Sequence, residues 1–229
     1  MQTAPTASSH QLDVAASSSP ATPRQVLLAV ALSFAVAGLA GLALAALSSW
    51  WLVAVGVVCI AAAWTYTGGP LPYGYRALGE VFVFVFFGPV AVVGTTFVQT
   101  RSLEGLAFAV SVPVGLLIVA ILVVNNLRDI DGDAAVGKRT LAVLVGDRST
   151  RLLYVGLFVA AFAVIAGLGV QRPWALLGLL AVPLAVAPSR TVLGGGQGPA
   201  LIAALQATGL LTLLGGVMFA TGLALTGTV

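Results

Sequence analysis

Charge is what this chain has least of. Ten Lys or Arg and seven Asp or Glu make up 7% of its 229 residues, against 59% hydrophobic residues. A soluble domain carries about a quarter charged residues, so a water-facing surface over the whole molecule is excluded. Cysteine is nearly absent as well. Cys59 is the single one and lies within an apolar run, which excludes an intrachain disulfide and a cysteine-based metal centre. It reads as a small core residue. His10 is the one histidine, isolated in a Ser- and Ala-rich stretch, and has no assigned role. The apolar runs do not alternate with polar residues, which argues against a transmembrane β-barrel.

What is present is a series of long apolar runs with a strongly positive mean hydropathy. A helix needs about 20 mainly apolar residues to cross the hydrocarbon core. Seven candidate spans can be read: 26–47, 50–66, 80–98, 106–124, 152–170, 174–187 and 199–225. The sixth is the short one, blurred by Pro183 and Pro188. The fold class expected is therefore an all-α, polytopic transmembrane helix bundle of about seven spans, with the lipid bilayer as its solvent. Residues 1–24 are rich in Ser, Thr, Ala and Pro with few large apolar residues. That composition cannot bury a core and is expected to be a disordered tail, leaving 25–229 as the membrane domain.

The basic residues are unevenly shared between the two ends of these spans. With a cytoplasmic amino terminus, that side holds Arg24, Arg76, Arg128, Lys138, Arg139, Arg148, Arg151 and Arg190, and the other only Arg101 and Arg172. Eight against two sets the expected orientation in the plasma membrane by the positive-inside rule. The same bias accounts for the net charge of +3, so no nucleic-acid partner is expected. Trp50, Trp51 and Trp174 flank spans on the outer side and read as interfacial anchors.

Two cytoplasmic loops are substantial. The first, "TGGPLPYGYRALG" (67–79), is dense in helix breakers. The second, 125–151, opens with "NNLRDIDGDAAVGKRT" and holds nine of the chain's seventeen charged residues. A third, "LGGGQGP" (193–199), is Gly-rich but lacks the Lys-Ser/Thr ending of a P-loop and reads as a flexible connection. A solvated loop that stops translocation would explain the bases of the second loop. It would not explain three Asp, or two Asn at the end of an apolar helix.

Continuing the fourth helix past Val124 places Asn125, Asp129 and Asp133 on one face, with Asn126 beside Asp129 at i,i+3 and Asp131 turned toward water. Two carboxylates and an amide oxygen are hard donors that suit Mg²⁺, which binds through one or two carboxylates plus substrate phosphates. Arg128, Lys138 and Arg139 supply cations for phosphate oxygens. A calcium loop counted from Asp129 fails, because Ala134 and Thr140 stand where Gly and Glu are needed. The acidic motif of CDP-alcohol phosphotransferases fails too, for want of its Arg and its downstream pair of Asp. The residues alone leave a magnesium-diphosphate site and a solvated loop both open.

"NNLRDIDGDAAVGKRTLAVLVG" resembles the second Asp-rich motif of the intramembrane aromatic prenyltransferases, the UbiA superfamily. "YTGGPLPYGYRALGEVFVFVFFGPVAVVGT" (66–95) resembles the branch that prenylates 1,4-dihydroxy-2-naphthoate in menaquinone synthesis. The resemblance runs from about Thr22 to the carboxyl terminus. It implies a nine-span helical bundle around a cavity, with Asp129 and Asp133, supported by Asn125 or Asn126, holding Mg²⁺ against the diphosphate of a polyprenyl diphosphate. Lys138, Arg139 and Arg128 would neutralise the leaving group. Tyr66, Tyr73 and Tyr75 would contact substrate, unless they are membrane-belt tyrosines. Phe82, Phe84, Phe86 and Phe87 would serve mainly in packing or face lipid, with lining of the prenyl channel as the alternative, and Glu80 would orient a substrate or mark the interface.

The family's first motif, N-D-x-x-D, has no counterpart among these residues, where Asp13 is the only acid before Glu80. The expectation is an incomplete chain, inactive or nearly so by itself. The alternatives are a catalytically dead protein that binds polyprenyl diphosphate, or a transporter-like bundle. A transporter would place ionisable groups near the bilayer midplane, whereas these acids cluster at one face.

Overall fold

The computed structural model describes residues 22–68 and 72–226, and among these every regular element is helical. The tail expected over 1–24, with His10 and Asp13, lies outside the described residues as far as residue 21. Gly69 and Pro70 of the first cytoplasmic loop lie outside them as well. The chain divides into two compact units, 1–56 and 57–229.

In the first unit, α1 (Pro23–Leu47) is a single apolar helix. Thr22 caps it: its hydroxyl accepts from the Gln25 amide at 3.3 Å, and the Gln25 side chain accepts from the Thr22 amide at 2.7 Å. This reciprocal box satisfies two donors that every helix start leaves open. The α2 helix (Trp51–Thr67) begins here and carries on into the second unit.

The second unit continues with α3 (Gly79–Val85), one π turn (Phe86–Val90), α4 (Ala91–Thr100), α5 (Gly105–Arg128), a short α6 (Ile130–Ala135) and α7 (Leu141–Gly169). A 3₁₀ segment (Pro173–Ala181) leads into α8 (Val182–Leu193), and α9 (Pro199–Leu225) ends the fold. Its core is built on α5 and α7: Val123, Val124 and Leu127 meet Tyr154, Phe158 and Ala161, with Leu211 of α9 completing the cluster. Lipid gives helices no hydrophobic drive toward each other, so close packing and polar contacts hold them. Tyr154 and Thr208 form such a contact, with 2.6 Å between hydroxyl oxygens deep in the bundle.

Among the described residues six helical segments are long and apolar enough to span a membrane, and Trp51–Tyr66 is a shorter apolar helix. The protein is a multi-pass membrane helix bundle. The short member is therefore not 174–187 as the sequence suggested. That segment runs Pro173–Leu193 because Pro183 falls in the first turn of α8, where a missing N–H costs nothing. The third span, read as one helix over 80–98, is instead broken by the π turn around Pro89. There Gly88 lies against Gly115 of α5, where a Cβ would stand 3.2 Å from the Gly115 Cα and 3.0 Å from the Ser111 carbonyl. Only glycine lets these two backbones approach so closely.

The charged segment 125–151 is no loop along most of its length. Helix α6 occupies its middle, and α7 starts at Leu141 under a Thr140 cap, with a break at Gly146 (φ 81°, ψ 168°). The connection over 193–199 is likewise pinned, because buried Arg151 donates to the carbonyls of Val192 at 2.6 Å and Gly196 at 3.2 Å.

Candidate active site

Helix α5 stops at Arg128, and Asp129 turns the chain into α6 with φ −98° and ψ 9°. Four-residue backbone bonds nevertheless carry across the break, from Asp129 N to Asn125 O (3.2 Å) and from Asp133 N to Asp129 O (2.8 Å). The spacing expected from a continuous helix is thus kept along the backbone, while the side chains diverge. Asp129 takes two bonds from Arg128, each 2.7 Å, in a bidentate pair. Buried Asp133 receives Lys138 Nζ on both oxygens, at 3.1 and 3.0 Å. Asp131 is exposed, as its place in the spacing predicts.

Asn126, expected beside Asp129, instead donates from Nδ2 to Glu80 Oε1 at 2.9 Å, and both residues are buried. Asn125 is half-buried one position earlier. Glu80 is the residue whose part was least legible in the sequence. One signal was available: it is an isolated acid at the start of an apolar span, next to a loop rich in tyrosine.

The segments around Tyr75 and Arg139 are tied together. The Arg139 amide donates to the Tyr75 carbonyl at 3.2 Å, forming an isolated bridge between Arg76 and Arg139. Lys138 Nζ sits 5.7 Å from the centre of the Tyr75 ring, within cation–π range. Tyr75 is therefore exposed beside the lysine and stands apart from the other two tyrosines. The Arg139 side chain is exposed.

Tyr66 and Tyr73 line a cavity of about 530 Å³ together with Cys59, Phe82, Phe86 and Phe87. The rings make a chain of contacts. Tyr66 meets Tyr73 edge-on at 5.3 Å, Tyr73 stacks on Phe82 at 4.0 Å, and Phe82 faces Phe86 at 6.1 Å. Phe82, Phe86 and Phe87 thus form cavity wall, with Phe82 and Phe86 four residues apart on one helix face, while Phe84 packs on the core and against Gly115. The charges of Lys138, Glu80 and Asp133 all act on the Tyr66 hydroxyl, so the apolar cavity abuts the charged cluster at this residue.

The electrostatics favour the ionised form of Asp129. The hydrogen bonds from Arg128 hold the Asp129 carboxyl below the ordinary carboxylate range, against the opposing effect of burial. Burial, and secondarily Tyr66, push the Tyr73 hydroxyl above the ordinary phenol range.

No three His, Cys, Asp or Glu side chains gather into a metal centre among the described residues. The donor set is two carboxylates, each already matched by a cation, and the amide oxygens of Asn125 and Asn126. These are hard oxygen donors, too few to enclose an ion. They fit one that keeps waters and is shared with phosphate oxygens. Chemically the arrangement can gather an anionic phosphate group at the charged end and an apolar or aromatic group in the cavity beside it.

Residues 18–195 match the UbiA prenyltransferase family. The chain is 49% identical over 204 residues to the 1,4-dihydroxy-2-naphthoate octaprenyltransferase of Mycobacterium tuberculosis, covering 89% of this chain and 70% of that protein. It is 46% identical over 209 residues to the protein of the same name from Mycobacterium leprae, covering 91% and 71%. It is 33% identical over 204 residues to that of Bacillus subtilis, covering 88% and 66%. The matched region contains both the charged cluster and the aromatic cavity, and the chain belongs to the UbiA prenyltransferase family.

Proposed function

We propose that this protein transfers a polyprenyl group from polyprenyl diphosphate to 1,4-dihydroxy-2-naphthoate, releasing diphosphate and CO₂ and giving demethylmenaquinone in its reduced, quinol form. One observation carries the reading. An aromatic cavity abuts, at Tyr66, a cluster that pairs two acids with two bases. The relatives named above bear the name of this activity. Enzymes of the family generally need a divalent metal, and magnesium is the ion proposed, held by Asp129 and Asp133 with Asn125 or Asn126. When bound it supplies positive charge to the diphosphate oxygens.

The chain's own residues do the rest. Arg128, Lys138 and exposed Arg139 meet the diphosphate and stabilise the charge it gathers as the bond from its oxygen to prenyl C1 breaks. The faces of Tyr66, Tyr73, Phe82 and Phe86 surround the allylic cation left behind, and the apolar wall keeps out water that would quench it. The naphthoate ring carbon then forms the new bond to prenyl C1. The ring carboxylate leaves as CO₂, and its electron pair restores the aromatic ring. Tyr75, beside Lys138, marks the entrance used by the anionic end. The charged face is cytoplasmic and the membrane is the plasma membrane, by the bias of the basic residues.

The test supplies the chain, reconstituted in lipid, with a polyprenyl diphosphate and naphthoate labelled in its carboxyl group. The expected result is magnesium-dependent release of labelled CO₂ matched by prenylated product, which would overturn the expectation of a chain inactive by itself. Diphosphate binding without any CO₂ release would make the protein a binder of polyprenyl diphosphate and sink the transferase reading.

A further inference from the structure

Glu80 and Asn126 form a buried polar pair within the helix bundle. Glu80 is 7% exposed and Asn126 5% exposed, and they lie 46 residues apart in the sequence. Among the described residues no cation bonds Glu80, whose hydrogen-bond partner is the neutral Asn126 amide. Burying a carboxylate with so little compensation is costly, and packing alone would be served by a neutral side chain. The carboxylate does one thing that a neutral amide cannot: it only accepts hydrogen bonds. Asn126 must therefore turn Nδ2 toward Glu80, which leaves its carbonyl oxygen Oδ1 as the outward end. No protein donor meets Oδ1 among the described residues.

Asn126 stands one helical turn before Asp129 on α5, so the two share a stretch of helix surface. Glu80 acts on the Tyr66 hydroxyl together with Lys138 and Asp133, which sets the pair beside the charged cluster. We propose that Glu80 is a positioning residue, whose carboxylate locks the Asn126 amide so that Oδ1 is the end offered to the magnesium-diphosphate group. This rests on the magnesium-diphosphate reading of the cluster given above.

The test is calorimetric titration of the full chain in detergent with inorganic diphosphate and magnesium, using E80Q, N126D and the double variant. The amide introduced by E80Q can accept from Nδ2 or donate to Oδ1, so both orientations of Asn126 become available. Magnesium-diphosphate binding should weaken by roughly 10-fold or more, the usual cost of removing a partner that orients a ligand. N126D sets two buried carboxylates against each other and should weaken binding as well. In the double variant the new amide can donate to the new carboxylate and leave its second oxygen outward. Binding should therefore recover above either single variant, an outcome that a packing role does not produce.

Size-exclusion and circular dichroism confine the comparison to folded protein, and E80Q keeps the side chain's shape. E80Q binding like the wild type, or a double variant weaker than both singles, would overturn the proposal. A wild-type chain that binds no magnesium diphosphate fails differently, because it removes the site itself and the proposal with it.

Discussion

Lys138 closes a five-residue turn onto Asp133, donating to both of its carboxylate oxygens at 3.1 and 3.0 Å. The Lys138 amide also donates to the Asp133 carbonyl at 2.8 Å, so backbone and side chain are fastened at the same point. The pair is ready-made: on the proposed function, a donor diphosphate would meet the lysine with its orientation already fixed.

D133N should lower kcat/KM for prenyl transfer by about 100-fold or more, the scale seen when a group that stabilises developing charge is removed. The thermal midpoint should fall modestly, because Lys138 loses its matching carboxylate but is still partly exposed to water and can bond to the asparagine oxygen. R139Q should act mainly on KM for the diphosphate donor, since that side chain is exposed and is proposed to meet the diphosphate. Steady-state kinetics on both variants separates the two effects.

The pH dependence follows from the pair Arg128 and Asp129. Asp129 is depressed by the arginine's hydrogen bonds, so its contribution to the fold is complete above the ordinary carboxylate range. That contribution is lost as pH falls through the lowered value. In R128Q the depression disappears while burial still acts to raise the carboxyl. The acid limb of the kcat/KM profile should therefore move to higher pH in R128Q. An acid limb that stays in place would dissociate Asp129 from the reaction.

Tyr66 is held by its contact with Gly74. A Cβ added at Gly74 would lie 2.7 Å from the Tyr66 carbonyl and 3.1 Å from its ring. G74A must displace Tyr66, at an overpacking cost of about 1–3 kcal/mol. Activity should fall far more than this loss of stability explains, since Tyr66 joins the cavity to the charged cluster. Comparing transfer rate with the thermal midpoint of the same sample checks it.

Arg151 bridges α7 to the end of α8, pairing with Asp147 at 2.6 Å and capping two carbonyls of the connection to α9. R151M leaves the buried carbonyl of Val192 only the longer bond from the Gly195 amide at 3.3 Å, and should cost about 1–3 kcal/mol. Denaturation in detergent should show the loss. Proteolysis should cut the variant first near Gly194–Gln197.

Much of the membrane architecture was legible because hydrocarbon imposes one requirement on every residue of a span. The runs ending at Val124 and Leu225 can therefore be read without knowing their neighbours. The charged stretch stood out for the complementary reason, since charges in so oily a chain are expensive to place. Asp133 and Lys138 were legible as a group, but the direction of each side chain was not. Spacing put Asn126 beside Asp129, whereas a residue 46 positions away took its hydrogen bond. The break at Asp129 and the π turn at Phe86–Val90 escaped for a related cause. Each replaces a regular backbone bond by a local alternative, and no periodicity in the residues records that choice.

The sequence by itself determined that this is a helical membrane protein with its acids and bases at one face, because transfer free energies depend on composition and length alone. Only the tertiary structure decided that Glu80 holds Asn126, that Phe86 and Phe87 face a cavity, and that Tyr66 stands between that cavity and the charges. Those outcomes depend on which distant groups satisfy a buried donor or fill a space. Such partners are chosen by packing in three dimensions and leave no local signature in the chain.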